Sequence, residues 1–276
     1  MSQTLTSKTQ VYFDQNMEHA VHAFVCDGVV AVYSCRSPGK ETANEDSAAI
    51  IACGDHGAIL VVADGLGGGP SGQNASRLAI ESLKAAAAAG QQKETMPRTR
   101  ILNGLEEANH AVRAMGIGAG TTMAVVELQG VTARPYHVGD SMILVVGQRG
   151  KIKLQTTSHS PVGFAVEAGV LGQREAMFHE DRHLISNVVG TEQMKIEIGP
   201  PIELAPRDTL LLASDGLFDN LHLSEIVSRI RKGPLEAAAD RLARDSLRRM
   251  TQPDEGTPSK PDDLTFILLR RNVGRR

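Results

Sequence analysis

Apolar positions in this chain come in two kinds of run. The first is short and unbroken: residues 59–63 (ILVVA) and 209–213 (TLLLA) each stop at the approach to an acid, Asp64 and Asp215. Runs of that length without polar alternation predict strands covered on both faces. Residues 22–34 are rich in β-branched side chains and broken by Asp27-Gly28, a hairpin signal. Strands are also predicted at 48–52, 121–128, 131–138, 143–147, 152–156, 196–198 and 264–269, with 121–156 reading as one antiparallel meander. Val11-Tyr12-Phe13 can add a short strand. The second kind of run has helical spacing. Ala75, Leu78, Ala79, Ser82 and Leu83 fall on one face and predict a helix over 71–89. Further helices are expected at 97–115, 224–231 and 235–250, with Pro97 suited to a first turn.

Between these elements, residues 1–18 read as a loosely held lead-in and 251–261 as a solvated loop. Residues 158–190 form the least regular stretch, and a loop of that length is usually functional or mobile. Arg270-Arg271 and Arg275-Arg276 read as a solvated tail. There is no internal repeat and no linker between two cores, so residues 1–276 are expected to form a single domain.

Composition narrows the function. Hydrophobic residues make up 41% and charged ones 22%, ordinary for a globular chain, while the absence of Trp calls for an aliphatic core. A net charge of −3 gives no electrostatic reason to expect nucleic acid or an anionic membrane as partner. The three cysteines, Cys26, Cys35 and Cys53, lack C-x-x-C spacing and suit a reducing compartment. With a polar N-terminus and no apolar run near ~20 residues, a cytoplasmic monomer is expected.

The chemistry centres on the stretch from Asp64 to Gly72. Gly67, Gly69 and Gly72 satisfy the dinucleotide fingerprint G-x-G-x-x-G between a strand and a helix. Against that reading, Asp64 would face the pyrophosphate, Pro70 interrupts the turn, and no acid ends a second strand ~20 residues on. The alternative is that Asp64 and a neighbouring carbonyl hold a hard cation. Other acids sit beside small residues where apolar runs begin or end: Glu45-Asp46, Asp140, Asp215 and Asp262-Asp263. Carboxylates delivered to the rim of a core are costly without partners, and nearby basic residues are too few to pair them all. Divalent cations would solve the problem.

In their order along the chain, Asn44-Glu45-Asp46, Ala63-Asp64-Gly65-Leu66-Gly67-Gly68, Gly120-Thr121-Thr122, Val138-Gly139-Asp140-Ser141, Ser214-Asp215-Gly216-Leu217-Phe218-Asp219 and Asp262-Asp263-Leu264-Thr265 resemble the type-2C metal-dependent serine/threonine protein phosphatases, in their bacterial form. The resemblance spans roughly residues 20–270. It implies an α+β fold, a four-layer α-β-β-α sandwich of two antiparallel sheets with the metal site at the edge between them. It implies two Mg²⁺ or Mn²⁺ ions, with Asp64 bridging them and the Gly65 carbonyl on one. Asp46 would bind one ion, with Glu45 behind it, and Asp215 and Asp262 would hold the other. Asp140 matches the ligand of a weaker third ion. The activity implied is hydrolysis of phosphoserine and phosphothreonine in protein substrates by a metal-bridging water, with Asp46, Asp64, Asp215 and Asp262 as the catalytic acids.

The sequence departs from the family in places. Glu41 stands where many members carry a phosphate-gripping arginine, and Lys40 or Arg36 is the expected substitute. Leu66 replaces the histidine of eukaryotic members, and Asp263 an asparagine. Two alternatives follow: a catalytically weak binding module of the same fold, or a dinucleotide-binding oxidoreductase. His159 is expected to be a structural turn residue and His137 a packed strand residue. His179 and His183, spaced i, i+4 in the 158–190 region, could bind metal only if helical, and no third ligand is evident.

Overall fold

A strand whose side chains are apolar on both faces must be covered twice, and two stacked sheets with helices outside achieve this. The computed structural model, which describes residues 8–26, 28–54, 57–92 and 95–271, has that arrangement. The chain begins with β1 (Gln10–Phe13), β2 (Val21–Val25), β3 (Gly28–Cys35), β4 (Ser47–Ala52), β5 (Gly57–Ala63) and the short β6 (Gly65–Leu66). Helices α1 (Pro70–Gln92) and α2 (Pro97–Ala114) follow, then β7 (Gly120–Thr121), β8 (Met123–Gln129), β9 (Thr132–Val138), β10 (Met142–Val146) and β11 (Ile152–Gln155). Short helices α3 (Pro161–Glu167) and α4 (Gln173–Ala176) and a 3-10 turn at Glu180–His183 occupy the irregular region. The chain continues through β12 (Glu197–Ile198), β13 (Ile202–Glu203), β14 (Thr209–Ala213), α5 (Asp215–Phe218), α6 (Leu223–Ile230), α7 (Leu235–Thr251) and β15 (Leu264–Arg271).

One sheet runs β1-β4-β5-β8-β9-β12, with β13 also on β9; the other runs β11-β10-β14-β15-β3-β2. Every pairing is antiparallel. Alternation along β5 shows the layering. Leu60 and Val62 point between the sheets, against a layer that includes Leu210, Leu212 and Ile267. Ile59 and Val61 point outward, to the cluster that holds Ala79 and Leu83 of α1 and Leu105 of α2. On the far side, Leu211 and Ala213 of β14 meet Ile226 of α6 and Leu242 of α7. Each fully buried chain of this size contributes roughly 1.5–3 kcal/mol. The α-β-β-α expectation holds.

The structure differs from the sequence reading at four points. The stretch 121–156 is not one meander: β8 and β9 belong to the first sheet, β10 and β11 to the second, and the chain changes sheets at Gly139-Asp140-Ser141. Pro70 does not interrupt a turn but opens α1, where a missing N–H costs nothing. Arg270 and Arg271 end β15 rather than a solvated tail. Arg270 Nε donates to Thr209 Oγ1 (3.0 Å) and Arg271 Nη1 to the Leu204 carbonyl (2.8 Å). Residues 251–261 are not wholly solvated, since Ser259 and Lys260 are bonded into the fold. Residues 1–7 of the lead-in, Asp27 of the hairpin, and Arg275 and Arg276 lie outside the described residues. Among the described residues no helix is long and apolar enough to cross a membrane.

Candidate active site

Strand register alone brings the acids together. Ser47 at the start of β4 pairs with Ala63 at the end of β5, so Asp46 and Asp64 leave the first sheet at one edge. Met142 at the start of β10 pairs with Ala213 at the end of β14, and Ala213 pairs with Phe266 near the start of β15. Asp140, Asp215 and Asp262 therefore leave the second sheet together. The rims meet where Ser214 Oγ donates to Asp46 Oδ2 (2.8 Å), while the same hydroxyl accepts the Thr265 N–H (3.1 Å).

The smaller motifs hold this rim in place. The Asp64 carbonyl accepts from Thr121 Oγ1 (2.7 Å) and the Thr122 N–H (2.8 Å), and the Asp64 N–H donates to Thr122 Oγ1 (3.1 Å). Thr122 Oγ1 in turn pairs with Ser141 Oγ (2.6 Å), tying the Asp64 turn to the Asp140 turn. A Cβ on Gly139 would lie 2.6 Å from Thr122 Cβ, so glycine is required there by contact as well as by its φ of 105°.

The glycine-rich loop is occupied by protein. Glu45 Oε1 accepts the Gly69 N–H (3.0 Å) at the start of α1, where a dinucleotide would place its phosphate. A Cβ on Gly72 would collide with Glu45 Oε2, and one on Gly65 with the Gly72 carbonyl. The glycines at 65 and 72 thus let α1 close onto β6 and Glu45, and that packing accounts for Gly72 of the G-x-G-x-x-G pattern.

Two lysines enter the rim. Lys40 Nζ lies 2.8 Å from Glu45 Oε1 and 2.6 Å from Asp263 Oδ2. Asp263 also accepts the N–H groups of Ser37 and Glu45, both at 2.7 Å. Lys40 is thereby committed to carboxylates. Arg36 is exposed just beyond β3, whose last residue pairs with Leu264 at this edge, and Glu41 is exposed as well. Lys260 Nζ lies 2.5 Å from Asp215 Oδ2, 3.0 Å from Asp219 Oδ2 and 3.1 Å from Asp262 Oδ2.

The carboxyls are electrostatically crowded. Burial, then Asp263, pushes Asp46 well above the ordinary range; burial, then Asp46 and Asp215, does the same to Asp64. Burial with Asp215 beside it pushes Asp140 up to about 8, Asp262 to about 7 and Asp219 to about 6. Burial opposes the charge on Lys260, but Asp215, Asp219 and Asp262 outweigh it and hold the ammonium protonated. Asp46 Oδ1, Asp140 Oδ1 and Asp215 Oδ1 are buried with no hydrogen-bond partner. Orphaned acceptors in a carboxylate cluster are costly, and oxygen-only donors of this kind fit hard divalent cations.

The histidines have other tasks. Among the described residues, the group of three or more His, Cys, Asp or Glu side chains whose ligand atoms all lie within 4.8 Å of one another is His137, His159 and Glu197. This trio is already committed: His159 Nδ1 accepts the Gly139 N–H (3.1 Å), its Nε2 faces Glu197 Oε2 (3.2 Å), and His137 Nε2 faces the Thr157 carbonyl (2.9 Å). The two rings stack at 4.3 Å. His179 Nδ1 accepts the Asp181 N–H (3.1 Å) before a 3-10 turn, so His179 and His183 share no α-helical face.

Beside Asp140, Asp215 and Asp219 opens a cavity of about 620 Å³. Its far wall comes from the 158–190 region, including Val162, Met177 and Arg182, and its near wall from Phe218 and His222.

The protein phosphatase 2C family model matches residues 37–252. The chain belongs to the protein phosphatase 2C family. Protein phosphatase PhpP of Streptococcus pneumoniae is 33% identical over 177 residues, covering 61% of this chain and 70% of that protein. The serine/threonine phosphatase of S. agalactiae superposes with a TM-score of 0.76 at 25% identity, over 89% of this chain and all of that one. The catalytic domain of the phosphatase PstP, solved with two manganese ions, gives a TM-score of 0.66 at 25% identity, over 88% of this chain and 97% of that one. The expectation of a serine/threonine phosphatase of this family holds, and neither the inactive binding module nor the dinucleotide-binding oxidoreductase finds support.

Lys260 and Asp219 carry parts of the site to which the motifs assign no role. A signal existed: in extended chain, residues two apart face the same way, so Lys260 was placed to meet whatever Asp262 meets.

Proposed function

We propose that this protein hydrolyses phosphoserine and phosphothreonine monoesters in other proteins with two divalent ions, Mg²⁺ or Mn²⁺, held at the strand-end rim. The observation that carries the reading is the set of orphaned buried oxygens on Asp46, Asp140 and Asp215 within a chain of this family. Asp46, Asp64, the Gly65 carbonyl, Asp215 and Asp262 are the groups that would hold the ions, with Asp64 common to both. When bound, such ions supply an ionised water nucleophile and charge neutralisation for the phosphate. Ser214 orients Asp46, and Thr121 and Thr122 fix the backbone that presents Asp64. With Lys40 committed, Arg36 is the residue assigned to the substrate phosphate. The cavity receives the polypeptide around the phosphoresidue, with the 158–190 region as its flap. Cys35 as a buried thiol suits action in the cytoplasm, as a monomeric single domain.

The test is hydrolysis of a phosphothreonine peptide with Mn²⁺, Mg²⁺ or EDTA, using wild type, Asp64→Ala and Asp215→Asn. Activity should require metal and fall at least ~100-fold in either variant. Unchanged turnover in EDTA or in Asp64→Ala would sink the proposal.

A further inference from the structure

Lys260 does not reach the rim by chance of a flexible side chain. Its N–H donates to Asn220 Oδ1 (2.9 Å), and Asn220 Nδ2 donates to its carbonyl (2.8 Å). Asn220 is fully buried behind α5, so the backbone of this loop is fixed from inside the fold. The residue before it is held too: Ser259 Oγ donates to the Arg249 carbonyl (2.9 Å) and Arg182 Nη2 to the Ser259 carbonyl (3.1 Å). Pro261 follows and restricts Lys260 to extended backbone. From that anchored position one ammonium meets three carboxylates, Asp215, Asp219 and Asp262.

The oxygens divide in an informative way. Asp215 gives Oδ2 to Lys260 and keeps Oδ1 buried without a partner. Asp46 Oδ1 and Asp140 Oδ1 likewise have none, and Asp219 Oδ2, 3.0 Å from the ammonium, meets it as an ion pair without a hydrogen bond. The inner face of the rim is thus left to divalent ions, while the oxygens on the α5 side converge on a point filled by nitrogen. We propose that Lys260 is a resident cation of this site, taking the place between Asp215, Asp219 and Asp262 that an additional divalent ion would otherwise enter. The inference rests on the two-metal reading of the rim. It makes this chain a two-ion enzyme with an internal ammonium where Asp215, Asp219 and Asp262 would otherwise draw a third.

The test is a Mn²⁺ titration by calorimetry on wild type, Lys260→Met, Lys260→Gln and Lys260→Met/Asp219→Asn, each checked for folding by circular dichroism. Lys260→Met and Lys260→Gln should gain one Mn²⁺, or tighten the weakest site at least ~10-fold once like-charge repulsion is removed. Adding Asp219→Asn should reverse the gain. Unchanged stoichiometry and affinity in both single variants would overturn the inference. So would unchanged Mn²⁺ binding accompanied by a raised KM for phosphopeptide, which would make Lys260 a phosphate-binding group. Wild type that took up no Mn²⁺ would defeat the two-metal reading separately; the inference would still be decided by whether Lys260→Met acquires binding.

Discussion

Two lysines enter one acidic rim, and the contrast between them separates what holds the site together from what the site works with. Lys40 lies between Glu45 and Asp263, whose oxygens are otherwise taken up by backbone N–H groups of Gly69, Ser37 and Glu45. That side is closed: one ammonium serves both carboxylates, and the glycine-rich loop and the start of α1 are packed onto it. Lys260 lies among Asp215, Asp219 and Asp262, beside carboxylate oxygens that nothing satisfies. That side is open. The first lysine is a latch and the second a counter-charge, and a metal ion should matter only to the second.

The sharpest way to break the comparison is Lys40→Met. Removing the ammonium strands buried Glu45 and Asp263 together. Breaking a buried pair costs ~3–5 kcal/mol, and the partial exposure of Lys40 lowers the expectation to ~2–3 kcal/mol. Urea denaturation should show that loss with and without Mn²⁺. The double variant Lys40→Met/Asp263→Asn should recover ~1 kcal/mol or more, since one of the two stranded charges is gone. Full rescue of Lys40→Met by Mn²⁺ would mean that both lysines are counter-charges and the distinction is false.

The strands and acids of both sides were legible in the sequence; the partners of the two lysines were not. Apolar runs that stop at Asp64 and Asp215 gave the strands, and the ordered motifs placed the acids, because both signals are local. The register that turns separate strand ends into one rim is not local, and the passage of 121–156 from one sheet to the other could not be read from alternation alone. Lys40 reads as a phosphate ligand because sequence shows charge and neighbourhood but not commitment; its carboxylate partner Asp263 lies 223 positions away. Lys260 was hidden by its surroundings. Thr251 to Pro261 has the composition of a solvated loop, and only Asn220, from another element, reveals that its end is anchored.

The second test concerns the open side and uses pH. Asp140, Asp262 and Asp219, pushed up to about 8, 7 and 6, hold protons in the metal-free fold that the unfolded chain has already released. Their contribution is therefore fully present below the ordinary carboxyl range near 3.8 and is lost as pH rises through those values. Metal-free protein should lose roughly 1–3 kcal/mol between pH 5.5 and 8, a figure reduced for the solvent that reaches these groups. Saturating Mn²⁺ should flatten or reverse the slope, because bound carboxylates must be deprotonated. Metal-free stability that stayed level over this range would show that Lys260 already neutralises the open side.

The smallest expected effect falls on the turn that carries Asp140. His159 accepts the Gly139 N–H through Nδ1, and Asn187 Nδ2 approaches the same nitrogen (2.8 Å). A histidine beside a phosphatase site invites a catalytic reading, yet both its nitrogens are engaged by the protein. His159→Ala should cost about 1 kcal/mol by leaving a buried N–H without an acceptor, and should slow turnover only a few-fold by loosening Asp140. His159→Asn, whose amide oxygen can accept the same bond, should restore most of the loss. The pH dependence of kcat/KM is the deciding readout. A positioning residue leaves its shape unchanged in both variants, whereas loss of a limb with a pKa in the histidine range would make His159 a proton-transfer group and place the working chemistry partly outside the carboxylate rim.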